Sequence, residues 1–188
     1  MKIISDLGEH FDIIERLLDN NPDSVFVSSY GLYAGILQDG RDANKFGPKY
    51  KTRSIDVLNK MSKYDSKMII GISDYKSCKH VRCEDCELKY IHSLIRIEKH
   101  SEAFPDIKMR IIRGNHLKCF IIRKGSKYLG ITGGRNMSDS SWSDISFMID
   151  HDTCLEILAI ANKVFDNGMY INDETISKIL NEQGIESE

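Results

Sequence analysis

Apolar positions along the chain fall into two rhythms. Phe11, Ile14, Leu17 and Leu18 recur at three- and four-residue steps and predict a helix from about Gly8 to Asp19. Asn20-Asn21-Pro22-Asp23 then reads as a turn, and Ser24-Val25-Phe26-Val27-Ser28 as a short buried strand. Ile55, Leu58 and Met61 share one face of a helix from about Ser54 to Tyr64. Lys67 to Ile72 is a second strand, and Leu88, Ile91 and Ile95 mark a helix ending near His100. Four strands follow closely, at Ile107–Ile112, His116–Arg123, Tyr128–Thr132 and Ile145–Ile149. A helix from about Thr153 to Asn167 and a last one from Asp173 to Asn181 complete the pattern. Early strands alternate with helices and later strands succeed one another, which predicts an α/β fold: a mixed parallel/antiparallel β-sheet flanked by helices. At 188 residues the chain is expected to be a single domain, 1–188, with an acidic C-terminal helix at about 171–184.

Charge changes this picture more than composition does. Hydrophobic residues make up 41% and charged residues 29%, which excludes a wholly disordered chain. The net charge of −2 conceals a basic centre. Residues 1–40 have net charge −5, residues 41–135 net +12, and residues 136–188 net −9. Such a centre suits an anionic partner such as DNA or RNA, or is a mixed solvated surface once folded. Arg41, Lys45, Lys49, Lys51, Arg53, Arg113 and Arg135 are the candidate phosphate contacts. Trp142 can stack on a base or join the core. No apolar run approaches the roughly 20 residues that cross a bilayer. Acids begin at Asp6 with no apolar leader core, so a cytoplasmic protein without a membrane partner is expected.

Five cysteines, an odd number, argue against a disulfide framework. Cys78, His80, Cys83 and Cys86 lie within nine residues, an insertion at about 76–88. Three thiolates and an imidazole suit one closed, tetrahedral, structural zinc ion. An iron–sulfur cluster, a distal replacement ligand such as His92, or a loop of reduced thiols are the alternatives.

The residues richest in chemistry are His116-Leu117-Lys118 and Gly133-Gly134-Arg135-Asn136. Two apart on a strand, His116 and Lys118 project together, while Leu117 and Cys119 face the other way. Glycines let backbone approach a ligand closely. An imidazole, an ammonium and a carboxamide converging on one point suit a phosphate: the first attacks or protonates, the others hold oxygens as charge shifts.

This His-x-Lys, followed by Gly-Gly-Arg-Asn and by Asp144 eight residues on, resembles the HKD motif of the phospholipase D superfamily. Ser24–Tyr30 and Lys67–Ser73 resemble that family's first two strands, Asp144–Ile149 the strand after the motif, and Asp150–Gly168 the helix beyond it. The likeness covers roughly residues 22–170. Two features depart from it. Arg123 stands where the motif has an Asp, and the Lys118-to-Gly133 spacing is about three residues longer than usual, an excess that a hairpin loop at Arg123–Lys127 can absorb.

The resemblance implies a phospholipase D-like fold, and the Cys/His knuckle read from the spacing would be an insertion in it. The resemblance also implies a metal-independent phosphodiesterase that works through a phosphohistidine and needs no catalytic metal. His116, Lys118, Asn136 and Asp144 would be catalytic, with Gly133, Gly134, Arg135 and Ser138 binding substrate. One His-x-Lys in a family that uses two implies a homodimer with a shared site. An endonuclease is the reading that the basic centre favours. A lipid phosphodiesterase of the same superfamily, or a zinc-stabilised non-catalytic module binding nucleic acid or protein, are the alternatives.

Overall fold

The computed structural model describes residues 2–5, 7–30, 48–72, 84–134 and 145–185. Its elements in chain order are β1 (Ile3–Ile4), α1 (Leu7–Asp19), β2 (Ser24–Tyr30), α2 (Pro48–Met61), β3 (Asp65–Ile72), α3 (Glu84–Ala103), β4 (Ile107–Arg113), β5 (Cys119–Lys124), β6 (Lys127–Gly133), β7 (Ser146–Ile149), α4 (His151–Asp166) and α5 (Asp173–Gln183). The strands form one seven-stranded sheet in the order β1-β7-β6-β5-β2-β3-β4. β2, β3 and β4 are parallel, and β5, β6 and β7 join antiparallel through β5 against β2. The predicted mixed α/β sheet is therefore the fold.

Alternation along the strands splits the core in two. Val25, Val27, Met68, Ile70, Met109, Ile111, Phe120 and Ile122 meet α1, α2, α3 and α5 on one face. Phe26, Ile69, Cys119 and Ile121 meet Cys154, Ala161 and Phe165 of α4 on the other. Each large apolar side chain taken fully out of water contributes roughly 1.5–3 kcal/mol, so the first face carries most of the stability.

Polar side chains set the ends of the last helices. The Asp150 carboxylate accepts from the Thr153 N–H at 2.9 Å and caps α4. The Asn172 side chain accepts from the Thr175 N–H at 2.8 Å and caps α5.

Several boundaries differ from those the pattern predicts. α2 begins at Pro48 rather than Ser54, since proline's fixed φ and missing N–H are tolerated in a helix's first turn. α3 begins at Glu84, so residues 84–88 of the 76–88 stretch are helical. β1 is too short to show a period and forms only by pairing with β7. The predicted strand His116–Arg123 begins at Cys119, because the backbone before it is bound largely by side chains, with the Gly133 N–H adding one bond to Lys118. The β5–β6 register runs from Cys119↔Thr132 to Lys124↔Lys127, so the long spacing lengthens the ladder and leaves only Gly125-Ser126 as the turn.

Candidate active site

The parallel strands β2 and β3 end, and the antiparallel strand β5 begins, at one edge of the sheet. Ser28 pairs with Cys119, and Cys119 with Thr132. Gly133 pairs with Ser146. That register brings Tyr30, His116–Lys118 and Gly133–Gly134 to the same end, where open α/β sheets bind ligands beyond their strand termini.

The lead-in to β5 is held by a small polar knot. The buried Ser28 hydroxyl donates to the Leu117 carbonyl at 2.7 Å and accepts from the Asn115 side-chain NH₂ at 2.9 Å. The Asn115 carboxamide oxygen in turn accepts from the Leu117 N–H at 3.4 Å. On the far side, the Lys118 carbonyl accepts from the Thr132 hydroxyl at 2.8 Å and from the Gly133 N–H at 3.3 Å. Residues 115–118 are thus held in place without forming part of a strand. At Gly71 of β3, a Cβ would lie 2.0 Å from the Asn115 carbonyl oxygen, so only glycine lets the lead-in pass that close.

Leu117 and Cys119 pack on the α4 face, as the alternation predicts. Burial pushes the Cys119 thiol up to about 12 and the Cys154 thiol up to about 11. Both are inert small core residues at neutral pH. The His116 ring is exposed and stacks on Tyr30, with centroids 4.4 Å apart and planes 14° from parallel. Lys118 is half-buried; its ammonium reaches back toward the His116 carbonyl at 3.5 Å. It also lines a narrow cavity with His10, Ile14, Phe120, Thr132, Gly133 and Ser146.

Gly133 closes this end of the sheet. Its φ is +146°, and a Cβ would lie 2.3 Å from the Ile145 carbonyl oxygen. Gly134 donates its N–H to that same carbonyl at 2.9 Å. The two glycines therefore let β6 end flush against the residue that opens β7.

Asn136, Asp144, Arg135 and Ser138 lie outside the described residues. So do Cys78, His80 and Cys83, and the Cys86 side chain. Among the described residues, no group of three or more His, Cys, Asp or Glu side chains is placed to hold a metal ion. No helix among them is long and apolar enough to cross a membrane.

Two of the candidate phosphate contacts are engaged elsewhere. Arg53 pairs with Asp12 at 2.6 Å and Glu15 at 3.0 Å of α1, and Arg113 pairs with Glu182 of α5 at 2.6 Å. The acidic ends of the chain fold back onto part of the basic centre and neutralise it there. Arg41, Lys45 and Arg135 lie outside the described residues, as do the side chains of Lys49 and Lys51.

Sequence reasoning missed Tyr30, His10 and the Ser28–Asn115 knot. The one available signal was His10, a lone imidazole on the α1 face that carries Phe11 and Ile14; it is only 5% exposed.

No family model and no curated protein matches the sequence. Solved structures do match its shape. Phosphatidylserine synthase of Haemophilus influenzae Rd KW20 aligns over 96% of this chain and 43% of its own, with TM-score 0.55 and 12% identity. Polyphosphate kinase of Porphyromonas gingivalis aligns over 88% and 26%, with TM-score 0.51 and 12% identity. The chain shares the fold of the aligned parts of these two proteins. An archaeal chromatin protein, TrmBL2, aligns more loosely, over 90% and 54%, with TM-score 0.48 and 9% identity. The chain spans between about a quarter and half the length of these structures. At such identities the likeness speaks for the fold alone.

Proposed function

We propose that the chain is a phosphoryl-transfer enzyme: a metal-independent phosphodiesterase, and most specifically an endonuclease for DNA or RNA. The observation that carries this reading is the gathering of His116, Lys118 and the Gly133-Gly134 turn at one end of the sheet, with an exposed imidazole stacked on Tyr30. An exposed, oriented imidazole serves no packing purpose there, and it suits nucleophilic attack.

In this mechanism a His116 ring nitrogen attacks phosphorus, the P–O bond to the leaving alcohol breaks, and a phosphohistidine forms. A second imidazole gives its proton to the departing oxygen. It then takes a proton from water, which attacks phosphorus and releases the histidine. Lys118 neutralises charge on the non-bridging oxygens, with the Asn136 carboxamide beside it. Arg135 and Ser138 contact substrate. Asp144 accepts a hydrogen bond from an imidazole and fixes its tautomer.

The second imidazole is His116 of an identical chain, because a two-fold contact presents the same motif from both sides. A specific observation favours one rival donor, His10, which lines the same cavity as Lys118. The Cys78, His80, Cys83 and Cys86 set is proposed, from its spacing, to hold one structural zinc ion.

The test is cleavage of labelled single- and double-stranded DNA and RNA in EDTA, with zinc supplied during purification. Wild type should cut at least one substrate, His116→Ala none, and His10→Gln should retain most activity. Salt-sensitive binding without cleavage would favour the binding module instead. Turnover of only phospholipid substrates would favour the lipid enzyme.

A further inference from the structure

A second polar groove lies at the opposite end of the sheet, on the α4 face. It is open and is lined by Ser24, Asp65, Lys67, Arg123, Tyr128 and Asn162.

Its charge is unbalanced. Asp65 is held by Lys108 at 2.8 Å, and that ammonium, with smaller contributions from Lys67 and Arg123, keeps its carboxyl below the usual carboxylate range. Three cations thus share one carboxylate. Among the described residues, neither Lys67 nor Arg123 forms an ion pair within 4 Å. Lys67 instead sits over the Phe165 ring, 5.2 Å from its centroid, and reaches the Asn162 carboxamide oxygen at 3.5 Å. Those contacts aim an ammonium without neutralising it.

The strand register places the two cations on the same face. Phe26 pairs with both Lys67 and Ile121, and Ser24 with Arg123. Two strand spacings and two residues separate them, about 12 Å between Cα atoms, a gap that two long side chains close around one anion. Tyr128 adds an aromatic wall, fixed by its backbone N–H donating to His151 Nδ1 at 3.1 Å. Asn162 and Ser24 add polar groups that suit a base edge and a sugar.

We infer that this groove is a second binding site, taking the phosphate of a nucleotide between Lys67 and Arg123 with its base or sugar against Tyr128. A fully ionised phosphate fits a guanidinium and an ammonium that form no ion pair of their own, since the neighbouring Asp65 carboxylate is held by Lys108. Arg123, the residue that departs from the HKD pattern, thereby has a role remote from His116. The seven residues from His116 to Arg123 span about 23 Å, so the two sites accept different phosphates of one strand, or different molecules. The inference does not depend on catalysis at His116.

The experiment uses the full chain carrying His116→Ala, so that nothing is cut. Calorimetric titrations with adenosine 5′-monophosphate and with a dodecanucleotide are run on this protein and on versions adding Lys67→Glu with Arg123→Glu. A milder pair, Lys67→Gln with Arg123→Gln, guards against loss of folding, which circular dichroism monitors. The site predicts that the mononucleotide binds and that both pairs weaken it at least tenfold. A parallel loss for the dodecanucleotide, with its log-affinity against log-salt slope shallower by about two, assigns the site to a strand. An unchanged dodecanucleotide assigns it to free nucleotides. Equal mononucleotide affinity in all versions, or none in any, overturns the inference. With His116 restored, the groove pairs should hydrolyse bis(p-nitrophenyl) phosphate at the unaltered rate. That arm reads the His116 site independently of the groove.

Discussion

The two ends of the sheet are built on opposite terms. At the hairpin end the backbone is fully knitted: Asp23 donates its N–H to the Arg123 carbonyl at 2.8 Å, the Gly125 N–H donates to the Asp23 carboxylate at 2.7 Å, and the Lys124 ammonium binds the Asn20 carbonyl. At the His116 end the ladder is given up. Residues 115–118 hang mainly from the side chains of Ser28, Asn115 and Thr132, with one backbone bond from Gly133, and two glycines admit close backbone approach. Regular pairing satisfies backbone groups chiefly with other backbone groups and fixes the chain's path. Where side chains take over that task, the chain can hold an exposed imidazole at a chosen angle, and the structure there becomes sensitive to single atoms.

The largest expected break is Gly133→Ala. A methyl 2.3 Å from the Ile145 carbonyl, at a φ that side chains avoid, should cost about 3 kcal/mol and at least a hundredfold in cleavage. Denaturant melts and rate assays check both. The comparison sharpens if Gly125→Ala, whose Cβ would meet no atom within 4 Å, leaves cleavage unchanged and costs only the left-handed backbone strain, about 1 kcal/mol.

Ser28→Ala should come next. It leaves the Leu117 carbonyl and the Asn115 NH₂ without their partner, at a cost of about 1–3 kcal/mol, and should lower kcat about tenfold with little change in KM. Equal losses in kcat and stability from a hairpin-end change such as Asp23→Ala would erase the distinction between the ends.

Tyr30→Ala should reduce kcat severalfold, while Tyr30→Phe keeps the stacked ring and the wild-type rate. The smallest effect concerns stability alone. The Asp150 carboxyl lies below its ordinary range because the Thr153 backbone and side chain bond its ionised form. Its contribution is therefore present above the usual carboxylate pKa of about 4 and lost as pH falls through the lowered value. Asp150→Ala should lower Tm at pH 7, and the gap to wild type should narrow as the pH falls below the usual carboxylate range, with activity unaffected.

These contrasts also explain what could be read from the sequence. β2, β3, β4 and the helices α1 and α4 carry strong local periods, and their burial follows those periods. The alternation that separates Leu117 from Lys118 is equally local. β1 has two residues and no period. The Tyr30–His116 stack, the Ser28–Asn115 bond and the salt bridges that absorb Arg53 and Arg113 join residues 38 to 87 positions apart, and no local pattern encodes such pairings. Arg123 read as a defect in a motif because the motif was the only frame the sequence offered. The fold places it in a groove of its own.

The central claim is that His116 is the nucleophile. Its most direct test is to mix wild type with a cleavable oligonucleotide, quench at alkaline pH within the first turnover, and map the adduct by peptide mass spectrometry. The account predicts a phosphoryl-linked adduct on His116 alone, absent from His116→Ala. Cleavage that proceeds with no adduct, or with the adduct on His10, would contradict it.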